Sequence, residues 1–145
     1  MQNMKAELSM KNKWYLSKHE FYTAYHYALQ YNAWKDERRA IVGVLAAAID
    51  GMPHGNGTSN PTESQAIRLS ALKSKIDMVE STALFVSEEM YPYLLKAVTN
   101  EKISFIYLQM RMQMPFSKRD YYEKRREFYY RLYKKLEKLG TQVTV

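Results

Sequence analysis

The stretch from Ile103 to Leu139 constrains this chain more than any other. An apolar run, Ile103 to about Met110, meets a break at Met114-Pro115-Phe116, and a charged, aromatic segment follows from Ser117. Proline has no N–H to donate and disfavours the α conformation of its predecessor, so a helix over 103–110 has to stop before Pro115. A second helix is predicted from Ser117, whose hydroxyl suits the N-cap, with Asp120 at N3 facing the positive end of the helix dipole. At about 100° per residue, Tyr121, Phe128, Leu132, Leu136 and Leu139 make one stripe that has to pack on the body of the protein. Arg119, Glu123, Arg126, Tyr130 and Lys134 take the opposite face, with Lys118 and Tyr122 at its edges. Arg125 falls on the apolar stripe, where it is expected to snorkel to a phosphate or to pair with a carboxylate. Short helix, tight turn and basic-aromatic helix give the outline of a helix-turn-helix, whose second helix enters the DNA major groove.

Charge sharpens that outline. Between Phe116 and Lys138 nine cations stand against four anions, so this segment carries +5 of the chain's +7. A helix face that is merely solvated mixes the two signs more evenly. A recognition helix reads bases with its N-terminal turns and touches phosphates with flanking cations. On that pattern Lys118, Arg119, Tyr122 and Arg126 meet the groove, while Lys124, Arg125, Arg131 and Lys134 hold phosphates.

The run Met114-Pro-Phe-Ser-Lys-Arg-Asp-Tyr-Tyr-Glu-Lys-Arg-Arg-Glu-Phe-Tyr-Tyr-Arg-Leu132 resembles the C-terminal signature of small phage and prophage transcriptional regulators of the RinA/ArpU type. In that family a proline, a small residue and a Ser or Thr precede an aromatic pair, and an Arg-rich step leads to a second aromatic cluster ending in Leu. The resemblance covers residues 99–136 well and the rest of the chain only loosely. It implies a C-terminus similar to the helix-turn-helix of sigma-factor region four, and a role in activating late phage genes. It implies that Ser117, Lys118, Arg119, Tyr121, Tyr122, Arg125 and Arg126 open the recognition helix. The Ala-rich insert after Arg39 departs from the family's pattern.

The rest of the chain reads as helices. With 46% hydrophobic residues in 145 it is too apolar for disorder and long enough for a core. A capping box at Ser17-Lys-His-Glu20 starts a helix running into the thirties, with Phe21, Tyr22, Tyr25, Leu29 and Trp34 as its core face. Ala40 to Ile49 is about half of a membrane span and reads as a buried helix, an interfacial or dimer helix being the sharper alternative. Gly51 to Asn60 is a loop, and its glycines lack the Gly-Lys-Ser/Thr of a phosphate cradle. Asn60 as N-cap, Pro61 at N1 and Glu63 at N3 restart a helix. Leu69, Leu72, Ile76, Val79, Ala83 and Val86 then form a heptad seam, open to an intramolecular bundle or to a dimer coiled coil. Ser87-Glu-Glu caps a further helix through Val98, which Pro92 either kinks or starts later. Gly140 is the expected C-cap of the last helix.

Catalysis finds no foothold in the sequence. Cys is absent, which removes thiolate nucleophiles and disulfides and permits a reducing cytoplasm. His19 and His26 are too far apart on one helix for an i, i+4 metal pair, and His54 lies in the loop. Asp36-Glu37 and Glu88-Glu89 are neighbours that point in different directions on a helix. No signal-peptide core follows Lys11 and Lys13, so a cytoplasmic location in a bacterial host is expected.

The sequence therefore predicts an all-α helical bundle with a C-terminal helix-turn-helix, without enzymatic activity, cofactor or metal. Its expected organisation is an N-terminal helical region with a Gly-rich loop (1–60), central helices with the seam (61–98), and the DNA-binding region (99–145). The function read from it is a sequence-specific, phage-type transcriptional regulator. Its DNA-binding residues are Ser117, Lys118, Arg119, Tyr121, Tyr122, Lys124, Arg125, Arg126, Tyr130, Arg131 and Lys134. Double-stranded DNA is the expected partner, with RNA polymerase and a second copy as further ones, and no membrane. The alternatives are a small terminase-like packaging subunit and a helical adaptor or inhibitor acting on RNA polymerase or a host defence nuclease.

Overall fold

The computed structural model describes residues 10–51 and 59–143. Within them the chain forms α1 (Lys18–Leu29), α2 (Tyr31–Gly51), α3 (Ser59–Val86), α4 (Tyr91–Val98), α5 (Phe105–Arg111) and α6 (Lys118–Val143), with no strand. The protein is all-α, as its periodicities require.

The capping box forms as the sequence implies: the Ser17 hydroxyl accepts from the Glu20 N–H, and the Glu20 carboxylate accepts from the Ser17 N–H. The helix expected to run into the thirties is divided. At Gln30 the ladder tightens, with the Gln30 N–H reaching the Tyr27 carbonyl at 3.1 Å, and a new helix starts at Tyr31. Such i→i−3 closure is how a helix end turns without glycine or proline. The new direction buries Tyr31 and Trp34, and Trp34 packs edge-on against Tyr27 at 4.9 Å.

The seam of α3 is filled from inside the chain. Leu72, Ile76, Val79, Ala83 and Val86 are buried and Leu69 is half-buried, so the bundle reading describes this seam. Removing each of the buried Leu, Ile and Val side chains from water contributes on the order of 1.5–3 kcal/mol, and the Ala83 methyl about 0.8 kcal/mol. The Ala-rich half of α2 differs from the expectation of a buried helix. Its partner is α3, towards which Ile41 and Leu45 are half-buried, while Val42 and Val44 remain 46% and 56% exposed. One helix can cover only one side of another, which leaves Val42 and Val44 towards solvent. Residues 52–58, with His54 and most of the expected loop, lie outside the described residues.

The Ser87 hydroxyl accepts from the Met90 N–H at 3.0 Å, and α4 begins only at Tyr91 with Pro92 in its first turn. Proline thus marks the later start, and Glu88 and Glu89 stand in the preceding turn. Gly140 is not the C-cap that the sequence suggested, because α6 continues to Val143. An internal glycine costs a helix only about 1 kcal/mol relative to alanine, too little to force a stop.

The long helix α6 is the axis of the bundle, with α1, α3 and α4 packed against it. One continuous core runs from Leu16 through α1, α3 and α4 to Phe128, Tyr129 and Leu132, so all three segments of the chain contribute to it. Across α3, the Lys135 ammonium donates to the Thr82 hydroxyl at 2.8 Å.

Candidate nucleic-acid interface

The elements that carry the basic residues are α5, the turn after it and the first turns of α6. The Ser104 hydroxyl caps α5 by accepting from the Tyr107 N–H at 3.0 Å. Gln113 then adopts a left-handed conformation (φ 56°), and the Met114 N–H returns to the Leu108 carbonyl at 3.1 Å. Positive φ is uncommon outside glycine, and here the returning bond and the burial of Met114 hold it. Ser117 fills the capping role predicted for it, its hydroxyl accepting from the Asp120 N–H at 3.1 Å. Phe105 reaches across to Tyr121 at 5.8 Å, which ties the short helix to the long one.

The eleven candidate residues divide by what surrounds them. Lys118 and Arg119 are exposed, and neither forms an ion pair among the described residues. Tyr122 is half-buried against Phe105 and Tyr121. Tyr121 itself is fully buried, so it cannot touch a partner, and it serves to seat the helix. Burial pushes its hydroxyl up to about 12 against the opposing pull of Arg125, which keeps it neutral.

Arg125 follows neither of its expected courses. Its guanidinium turns back along α6 to donate to the Tyr121 hydroxyl at 3.1 Å, and it lies 5.9 Å from the centre of that ring. Its Nε is buried without a hydrogen-bond partner among the described residues, and the guanidinium also lies beside the buried Tyr129 hydroxyl, which it pulls on electrostatically. With its long stem on the apolar stripe, packing within the chain wins over reaching out to a phosphate.

Further along α6 the cations are engaged at home. Arg126 pairs with Glu123 at 3.3 Å, and Arg131 with Glu127 at 2.7 Å. Arg131 is also placed between two rings, 5.2 Å from Trp14 and 4.8 Å from Phe85. Lys124 and Lys134 make only long pairs, 3.8 Å to Glu127 and 3.7 Å to Glu137. The Lys134–Glu137 pair is exposed on both sides and of a kind worth about 0–1 kcal/mol, whereas Lys124 reaches a carboxylate that is itself buried. Tyr130 is packed under Trp14 at 5.4 Å between ring centres.

Trp14 was not among the residues singled out by sequence, yet it governs this face. Its indole N–H donates to the Glu123 carboxylate at 2.7 Å. Burial pushes the Glu123 carboxyl up, but hydrogen bonds from Trp14 and Arg126 outweigh it and hold the group below its ordinary range. No periodic pattern announces a lone tryptophan ahead of the first helix. Arg111, Lys102 and Lys96 lie outside the predicted set; all three are exposed and form no ion pair among the described residues. Arg111 ends α5, so cationic charge stands on both sides of the turn.

The arrangement offers fixed positive charge and aromatic edges, with no converging acid and base. Among the described residues no three of His, Asp and Glu come together as metal ligands, and no helix is long and apolar enough to cross a membrane. No protein-family model, curated protein or solved structure matches the chain.

Proposed function

We propose that this protein is a sequence-specific reader of double-stranded DNA that acts as a phage-type transcriptional regulator, with α5, the turn and the start of α6 as a helix-turn-helix. One observation carries the reading. Lys118 and Arg119 are exposed on the first turn of α6 with no ion pair among the described residues, and Arg111 likewise ends α5, whereas the downstream arginines of α6 are engaged within the chain. A basic helix meant only for solvation has no reason to keep its pairs away from that one end. Arg119 is the reader best placed for a guanine, a bidentate contact worth about 1–3 kcal/mol of discrimination. Lys118 and Arg111 hold phosphates on either side, and Lys124 and Lys134 join once their long pairs open. Tyr121 and Arg125 set the angle of the helix from inside.

The reading is tested by selection from a randomised duplex pool with bulk competitor DNA at two salt concentrations. Enrichment of one motif, with affinity falling as salt rises, is expected for a specific reader. Salt-sensitive binding without enrichment points to a nonspecific packaging role. Absence of binding at low salt overturns the reading and turns the search to protein partners such as RNA polymerase.

A further inference from the structure

Charge is distributed very unevenly over this molecule. Between Lys75 and Lys96 the chain carries Asp77, Glu80, Glu88 and Glu89 and no Lys or Arg, although the whole chain is +7. Asp77 pairs with Lys73, and Glu80 accepts from the Tyr31 hydroxyl. Glu88 and Glu89 are exposed at the turn after α3, and among the described residues neither makes an ion pair. Immediately before them α3 ends with Leu84 and Phe85, which are 46% and 70% exposed. Arg131 lies over the Phe85 ring and pairs with Glu127, which Lys124 also approaches, and Lys135 is held by Ser81 and Thr82 further back on α3; the acidic character of this end therefore rests on Glu88 and Glu89.

A second surface is its counterpart. Ile106 and Met110 stand four residues apart on the outer side of α5, 66% and 73% exposed. Lys102 before them and Arg111 after them are exposed and unpaired; Glu101 is the one carboxylate adjoining them in sequence. Each surface thus has a large apolar pair beside two unpaired charges, acidic on one and basic on the other. Isolated apolar side chains on a surface need no explanation, but such pairs rimmed by charge mark interaction sites.

We infer that the acidic end of α3 in one copy docks on the basic face of α5 in a second copy, a head-to-tail contact. The occupant is a second copy because this chain itself presents both complementary surfaces. A contact between two different surfaces repeats, and it closes into a ring or extends as a filament. The buried heptad seam takes no part in it.

The experiment needs no DNA, so its outcome is separate from the proposed function. Mass is followed by sedimentation over protein concentrations up to ~1 mM, which detects contacts as weak as Kd ~1 mM. The wild-type mass rises above 17.2 kDa with concentration and falls back as salt screens the charges. The variants E88K/E89K and K102E/R111E each stay monomeric, having like charges on both surfaces. Mixed in equal amounts they associate again, and a chain carrying all four reversals associates by itself. All the changed residues are exposed, and circular dichroism verifies that the variants keep their helices. A wild type that stays at 17.2 kDa throughout, or variants that fail to rescue each other, overturns the inference.

Discussion

Replacing Trp14 tests how the segment ahead of α1 is bound to the bundle. The side chain is half-buried, packs at a tilt against Tyr130, takes the Arg131 guanidinium on its ring and donates to Glu123. Truncating a fully buried tryptophan to alanine costs about 3–5 kcal/mol, and half-burial reduces this to roughly 2 kcal/mol. For a domain of this size that lowers Tm by roughly 6 °C. Trp14→Phe keeps most of the ring and loses the bond to the carboxylate, so it should cost about 1.5 kcal/mol, the low end for a hydrogen bond to a charged group. The same bond has a pH signature. Glu123 is held below its ordinary value in the folded protein, so its contribution is present above pH ~4.5 and is lost as pH falls through the lower folded value. Wild-type stability should therefore drop more steeply than that of Trp14→Phe on acidification below pH ~4.5. Denaturant unfolding at several pH values reads both effects. A Trp14→Ala protein that unfolds at the wild-type midpoint, or equal losses for Phe and Ala, refutes the clamp.

Two further substitutions separate the core from the misfit arginine. Leu132→Ala removes a fully buried side chain of α6 and should cost about 2–5 kcal/mol in urea unfolding, without losing the fold's helical signal in water. Arg125→Met replaces a guanidinium that has no carboxylate partner but rests on the Tyr121 and Tyr129 hydroxyls; losing these neutral partners costs about 1 kcal/mol while the apolar chain keeps the packing, so stability should stay within ~1 kcal/mol of wild type. A loss as large as that of Leu132→Ala shows instead that Arg125 is integral to the packing.

Local signals were the legible ones. The Ser17 capping box, the Ser117 cap and the Pro115 break depend on neighbouring residues alone, and each appears where the sequence places it. The α3 seam was legible as a pattern, but a period of three and four cannot say whether the covering helix belongs to the same chain. The structure answers with α2 and α6. The break at Gln30 escaped because no Gly or Pro marks it, and what decides it is the packing of Tyr31 and Trp34. Exposure of Val42 and Val44 escaped for a related reason: hydrophobicity states a preference for burial and not the presence of a partner. At the candidate interface, helical spacing placed Tyr121 correctly on the packed stripe, and this conflicted with its role by resemblance as an opener of the recognition helix. Ion pairing decided the rest. Spacing cannot foresee that Arg131 stacks between Trp14 and Phe85 while Arg119, twelve residues earlier, is left open.

The division between open and engaged cations is the centre of the proposed function, and the salt dependence of duplex DNA binding tests it most directly. Each phosphate contact contributes a slope of about −0.9 in log affinity against log salt. Lys118→Ala/Arg119→Ala should flatten the slope by about 1.8, with weaker binding and a relaxed motif. Arg131→Met, which removes a cation already matched by Glu127, should leave the slope at the wild-type value. An unchanged slope in the double variant, or equal flattening in Arg131→Met, would contradict the account.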